Sequence, residues 1–224
     1  MLKYFIFSAF FLLTCTVVTQ AENFLVLGDS HGAMDIGWVN KLKKLRPNDH
    51  FCNLSISGNT IGFKNNDRDT LNTLRNIKSY LRCGNNQLGK IDVILILLGT
   101  NDCKAIFDGK TNESISNLDS LIDEIRTEFP RNGQTHILLV SPPPAAADSV
   151  LTEKYKGMNG RLKLLVPRMQ KTAEEKDILF LNIFKFLYPY RNKLTSDGVH
   201  YTEKGYQEIA KQIDRIIQEN FNHE

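Results

Sequence analysis

Five residues in four separated blocks have the types that acyl transfer requires. Ser30 stands in Gly28-Asp29-Ser30-His31-Gly32, directly after the apolar run Phe24-Leu25-Val26-Leu27. A serine hydroxyl is a weak nucleophile until a neighbouring base takes its proton. His200 is the candidate base, and Asp197, three residues earlier in Ser196-Asp197-Gly198-Val199-His200, is the carboxylate that would fix its tautomer. The tetrahedral intermediate of such a reaction needs hydrogen-bond donors aimed at its oxyanion. The backbone N–H of Ser30, the backbone N–H of Gly58 in Ser57-Gly58-Asn59, and the side-chain amide of Asn101 in Gly99-Thr100-Asn101-Asp102 are the candidates. Glycine suits the second position because a missing side chain lets substrate approach the backbone. Thr100 and Pro142 are candidate substrate-binding residues on adjoining loops. This inventory calls for no cofactor, and no Cys/His spacing resembles a metal site.

The elements that would position these blocks follow from hydrophobic periodicity. Strands are predicted over 24–28, 50–55, 91–99, 135–141 and 178–183. The third, Ile91-Asp92-Val93-Ile94-Leu95-Ile96-Leu97-Leu98-Gly99, is apolar on both faces and therefore central. Helices are predicted over 35–45, 69–81, 115–129, 151–176 and 202–221. Gly157, Gly160 and Pro167 are expected to break the fourth, and Thr202 to cap the last. Strand and helix alternate throughout, which argues for an α/β fold. The expected architecture is three-layer α/β/α around a flavodoxin-like five-stranded parallel sheet. Such sheets bind ligands at the carboxyl ends of their strands. The four blocks fall after strands one, two and three and before the last helix, so one sheet edge collects them. Short connections predict an open, shallow site without a large lid, which favours short-chain esters.

The chain has 224 residues, 42% hydrophobic and 24% charged, with a formal net charge of +3. That charge is too small and too scattered to argue for a nucleic-acid partner. Residues 1–21 read as an export signal: Lys3, an apolar core, then Thr19-Gln20-Ala21. Export to the periplasm or outside the cell is therefore expected, with residues 22–224 as one domain and lipid anchoring at Cys15 a minor option. Three cysteines remain after cleavage. The second strand starts at the amino edge of the sheet and the following helix returns there, so Cys52 and Cys83 are expected to approach disulfide distance, leaving Cys103 free near the site. His31 directly follows Ser30, so its side chain is expected to point elsewhere. His50, His136 and His223 read as surface residues, and Asp29 and Asp102 as turn supports.

The blocks Gly28-Asp29-Ser30, Ser57-Gly58-Asn59, Gly99-Thr100-Asn101-Asp102 and Asp197-Gly198-Val199-His200 resemble, in order and spacing, those of the SGNH or GDSL hydrolases. That resemblance implies the SGNH hydrolase fold, a Ser30–His200–Asp197 triad, and an oxyanion hole from Ser30, Gly58 and Asn101. His31 departs from the family's usual leucine. Leu97-Leu98-Gly99-Thr100-Asn101-Asp102 and Leu138-Leu139-Val140-Ser141-Pro142-Pro143-Pro144 are similar to the arylesterase and carbohydrate-acetylesterase branch. The resemblance implies a small-molecule ester substrate, an acetylated carbohydrate or a lipid among the options, and leaves the oligomeric state open.

Other readings compete. Gly28-x-Ser30-x-Gly32 matches the nucleophile elbow of α/β-hydrolases, but that fold places several strands before its serine. Here residues 22–29 alone precede Ser30 once the signal is removed. A phosphate-binding loop at Gly28 to Gly32 would have Asp29 repelling its ligand and no basic residue beside it. Each block alone also fits an ordinary turn, and none of those turns accounts for the set. A noncatalytic binding module on the same fold, and a lysophospholipase or thioesterase acting on longer acyl chains, are the remaining alternatives.

Overall fold

The computed structural model describes residues 21–131 and 133–221. The proposed export signal apart from Ala21, together with Cys15 and His223, lies outside the described residues.

The chain runs β1 (Asn23–Gly28), α1 (Ser30–Ala33), α2 (Trp38–Leu45), β2 (His50–Asn53), α3 (Thr73–Leu88), β3 (Val93–Leu97), α4 (Thr111–Glu128), β4 (His136–Val140), α5 (Met158–Lys176), β5 (Leu179–Leu181), α6 (Ile183–Leu187), α7 (Arg191–Leu194) and α8 (Glu203–Asn220). The five strands form one parallel sheet in the order β2-β1-β3-β4-β5. This is the expected flavodoxin-like order. The chain moves outward one way from β1 to β2, then crosses to β3 and continues the other way. The gap between the carboxyl ends of β1 and β3 is therefore the switch point where ligands bind in open α/β sheets.

Strand residues alternate between two apolar layers, as pleating requires. Leu25, Leu27, Ile94, Ile96, Ile137 and Leu139 pack with α3, α4 and α5. Phe24, Val26, Val93, Leu95, Leu138 and Val140 pack with α2 and α8. β3 is buried at every position, which explains its unbroken apolar run.

Four local expectations need correction. The predicted helix over 35–45 starts three residues later, because Met34 turns extended after α1 and residues 35–37 form a turn before α2 begins at Trp38. The predicted helix over 69–81 starts later and runs on to Leu88. Asn72 caps it by accepting from the Arg75 N–H, and Gly89, at φ +72°, ends it. Pro167 does not break α5. It sits on the exposed face, while Leu165, Val166 and Met169 are buried around it, so the carbonyl that its ring leaves unpaired is on the side open to solvent. The connections are not uniformly short: residues 54–72 and 141–157 are long and largely irregular. Thr202 caps α8 as expected, accepting from the Gly205 N–H.

Cys52, Cys83 and Cys103 are all free thiols. Cys52 does lie beside Cys83, but the two are not bonded. Burial, then the neighbouring Cys83, push the Cys52 thiol up to about 11. A protonated thiol is a poor partner for disulfide exchange, since the thiolate is the reactive form.

Candidate active site

Ser30 is the first residue of α1, and Asp29 is its N-cap. The Asp29 Oδ1 accepts from the His31 N–H at 2.9 Å. Ser30 thus stands at a helix start, where backbone N–H groups have no intrahelical acceptor. Gly28 and Gly32 allow Ser55 to press against this turn: a Cβ at either would meet the Ser55 hydroxyl at 2.5 Å. The Asn53 amide donates to the Gly32 carbonyl at 3.0 Å, and the Asn59 amide donates to the Gly28 carbonyl at 3.2 Å. The serine is therefore presented by a turn clamped from the β2 side.

His200 and Asp197 come from the loop before α8. The ring Nδ1 of His200 lies 2.7 Å from the Asp197 Oδ2, and its Nε2 lies 2.9 Å from the Ser30 Oγ. With Nδ1 donating to the carboxylate, Nε2 is left to accept the serine proton. The other oxygen of Asp197 accepts from the Val199 and His200 N–H groups at 2.9 and 2.7 Å. Partial burial pushes the Asp197 carboxyl up, but the bonds from the His200 ring and these two N–H groups outweigh it and bring it down to about 2. Asp197 is then a carboxylate at neutral pH. The loop is tied to β4's exit by the Ala146 N–H donating to the Gly198 carbonyl at 2.7 Å. Below it, the buried Tyr201 hydroxyl donates to the Pro144 carbonyl at 2.6 Å.

The candidate oxyanion wall faces this loop. Gly58 has φ +92°, a conformation that favours glycine. The Asn101 amide donates to the Asn59 carbonyl at 2.9 Å, which fixes the loop after β3 against the loop after β2. Asn101 has a second amide hydrogen for a ligand. Among the described residues, neither the Ser30 nor the Gly58 N–H donates to a protein acceptor. Asp102 does more than support a local turn. It is buried, and both its oxygens accept from the Ile61 N–H, at 3.0 and 3.1 Å. Burial pushes its carboxyl up to about 7, against the bonds from Ile61 and Gly62.

Thr100 and Pro142 fit their expected role less well. Both are buried, and the Pro142 ring packs against Gly99. They present almost no surface at the mouth of the site. His31 also departs from expectation. It is fully buried, and its ring centroid is 5.6 Å from that of His200. Its Nδ1 is 3.1 Å from the Tyr206 hydroxyl, and burial holds its pKa below the ordinary histidine value. It therefore backs the His200 ring as a neutral imidazole. His50 and His136 are exposed, as expected.

Sequence reasoning missed Asn65, Lys104 and Tyr155. The buried Asn65 donates its amide to the Gly58 carbonyl at 2.6 Å and accepts from the Lys104 ammonium at 3.3 Å. Asn65 lies in an irregular loop with no periodicity to flag it. Lys104 had a signal, since it stands two residues after the Asn101 block. Among the described residues, no group of three His, Cys, Asp or Glu side chains is placed to hold a metal ion.

The profile of the family described as GDSL-like Lipase/Acylhydrolase matches residues 24–213. The chain belongs to that family. It is accordingly a carboxylic ester hydrolase. No curated protein matches it. Among solved structures, it is similar to a carbohydrate acetylesterase family member from Sinorhizobium meliloti: 21% identity, TM-score 0.69, covering 88% of this chain and 98% of that one. The inhibitor-bound aryl esterase of M. smegmatis gives 19% identity and TM-score 0.70, over 89% and 99% of the two chains. The lipase/acylhydrolase from Enterococcus faecalis gives 21% identity and TM-score 0.64, over 88% and 96%. These likenesses establish the shared fold.

Proposed function

We propose that this hydrolase cleaves short acyl esters, acetyl esters of carbohydrates or of aryl and alkyl alcohols, through a Ser30–His200–Asp197 triad. The observation that carries the reading is the unbroken hydrogen-bond chain from the Asp197 Oδ2 through both His200 nitrogens to the Ser30 Oγ, at 2.7 and 2.9 Å. His200 takes the serine proton as the Oγ attacks the ester carbonyl, and Asp197 stabilises the imidazolium that forms. The unpartnered N–H groups of Ser30 and Gly58, with the Asn101 amide, receive the oxyanion. The imidazolium then protonates the departing alcohol. A water molecule, deprotonated by the same imidazole, releases the acid and restores the serine.

The shared fold with a carbohydrate acetylesterase family member and an aryl esterase supports the short-acyl choice. The intact proton chain weighs against a noncatalytic binding module. Initial rates on 4-nitrophenyl esters of rising chain length, and on acetylated sugars, test the reading. Acetate and butyrate esters are expected to be the best substrates of the first series, with Ser30→Ala inactive. A preference for long-chain esters would overturn the short-acyl choice, and turnover undiminished in Ser30→Ala would overturn the triad.

A further inference from the structure

Beside the triad, two ammonium groups converge on one tyrosine ring. The Lys104 Nζ lies 5.9 Å from the Tyr155 ring centroid, and the Lys154 Nζ lies 4.8 Å from it. Lys104 is the next residue but two after Asn101 and is almost entirely buried. The only hydrogen bond of its ammonium among the described residues goes to Asn65, which in turn holds the Gly58 carbonyl. The turn bearing Lys154 and Tyr155 packs on the turn formed by Ala105–Phe107. Tyr155 is half-buried, and its hydroxyl feels the charges of both Asp197 and Asp29. The lysine pair thus sits on the wall that joins the oxyanion loops to the acid–base turn.

Like charges held together in a partly dry place cost free energy unless an anion joins them. Burial and then Lys154 lower the Lys104 ammonium's pKa; Asp29 and Asp102 act in the opposite direction from below. Neither lysine is in a salt bridge among the described residues. The carboxylates of the surrounding turns are already engaged: Glu153 with Lys156, and Asp108 with Arg161. The remaining polar neighbour, Arg161, donates to the Cys103 carbonyl at 2.8 Å and to the Lys156 carbonyl. No carboxylate among the described residues pairs directly with either ammonium, and a substrate can bring one.

We propose that Lys104, Lys154 and Tyr155 form an anion-recognising subsite, so that the preferred esters carry a carboxylate or phosphate a short distance from the scissile bond. This deepens the ester-hydrolase reading and rests on it. The charge pair lowers KM for an anionic ester by pairing with its anion, the ring holding the two ammonium groups in place, while the chemistry at Ser30 is unchanged. The charge can sit on the alcohol side or the acyl side of the ester.

Two matched pairs of probes separate these sources. For the alcohol side, 3-acetoxybenzoate is compared with its methyl ester. For the acyl side, the phenyl half-ester of glutaric acid is compared with phenyl methyl glutarate. In at least one pair the anionic member should exceed its neutral twin by about tenfold in kcat/KM at low ionic strength, mainly through KM. The preference should shrink as salt is raised. It should approach parity in Lys154→Gln, an exposed substitution that leaves the core intact, and in Lys104→Gln. Turnover of the neutral esters with the anionic ones equal or slower would overturn the subsite and leave the hydrolase reading standing. An anionic preference that survives both lysine substitutions would overturn it too. Failure of folded protein to turn over either pair would defeat the ester-hydrolase reading, and the subsite with it.

Discussion

The two walls of the site are built in opposite ways. The acid–base wall is local and open. Asp197 keeps 57% of its side-chain surface exposed, yet its contacts with Val199 and His200 all lie within three residues. The oxyanion wall is buried and stitched over long sequence distances. Asn59, Asn65, Asn101 and Asp102 are each at most 4% exposed, and their side chains bind backbone as far as 42 residues away. The difference follows from what each wall must do. In the proposed mechanism the imidazole gains and loses a proton in every turnover and benefits from water nearby. The proposed oxyanion donors must be fixed before charge develops, because reorienting them during the reaction would forfeit their advantage.

This contrast can be broken first on its open side. Asp197→Asn removes the carboxylate that fixes the His200 tautomer, and kcat should fall about 10⁴-fold. The melting temperature should move little, because the group is exposed. On the buried side, Asn101→Ala removes a proposed oxyanion donor and should cost about 10² to 10³ in kcat with a small change in KM. It should also lower the melting temperature, because it cuts the tie to the Asn59 carbonyl. If both substitutions left stability equal, the two walls would not differ as described. Asn65→Ala sharpens the point from further away. It touches no reacting atom, so about a tenfold loss in kcat is expected, through a loosened Gly58.

The smallest expected effect is on stability against pH. Burial raises the Asp102 carboxyl to about 7, above the ordinary value near 4 for an unfolded chain. The folded state therefore holds this proton more tightly, and the stability it lends is full below pH ~4 and is lost as pH rises towards 7. Denaturant unfolding across that window should show wild-type stability declining relative to Asp102→Asn, which keeps an oxygen for the Ile61 N–H. Parallel curves for the two proteins would contradict the assignment.

The open wall was legible in the sequence and the buried one only in part. Asp197-Gly198-Val199-His200 carries its own geometry in four residues, so reading it needed only the expectation that the fold brings it to Ser30. The sheet was equally plain, since β3's apolar run and the alternation with helices leave few topologies. Gly58 and Asn101 could be picked out by type. Their supports could not: Asn65 and Asp102 choose partners through packing, and nothing in their neighbourhood marks a contact with Gly58 or Ile61. His31 shows the same limit. Adjacency to Ser30 suggested that it turns away, whereas its place in the one-turn helix α1 aims it at the back of His200. Pro167 marked a helix break by its type, and its exposed position made it harmless.

The account stands on Ser30 being a nucleophile switched on by His200. Intact-mass and peptide analysis after treatment with a fluorophosphonate tests this directly. The account predicts one phosphonyl group, on Ser30, formed rapidly in the wild-type protein and slowed by several orders of magnitude in folded His200→Ala. Labelling at another residue, or labelling of Ser30 at an undiminished rate without the imidazole, would contradict it.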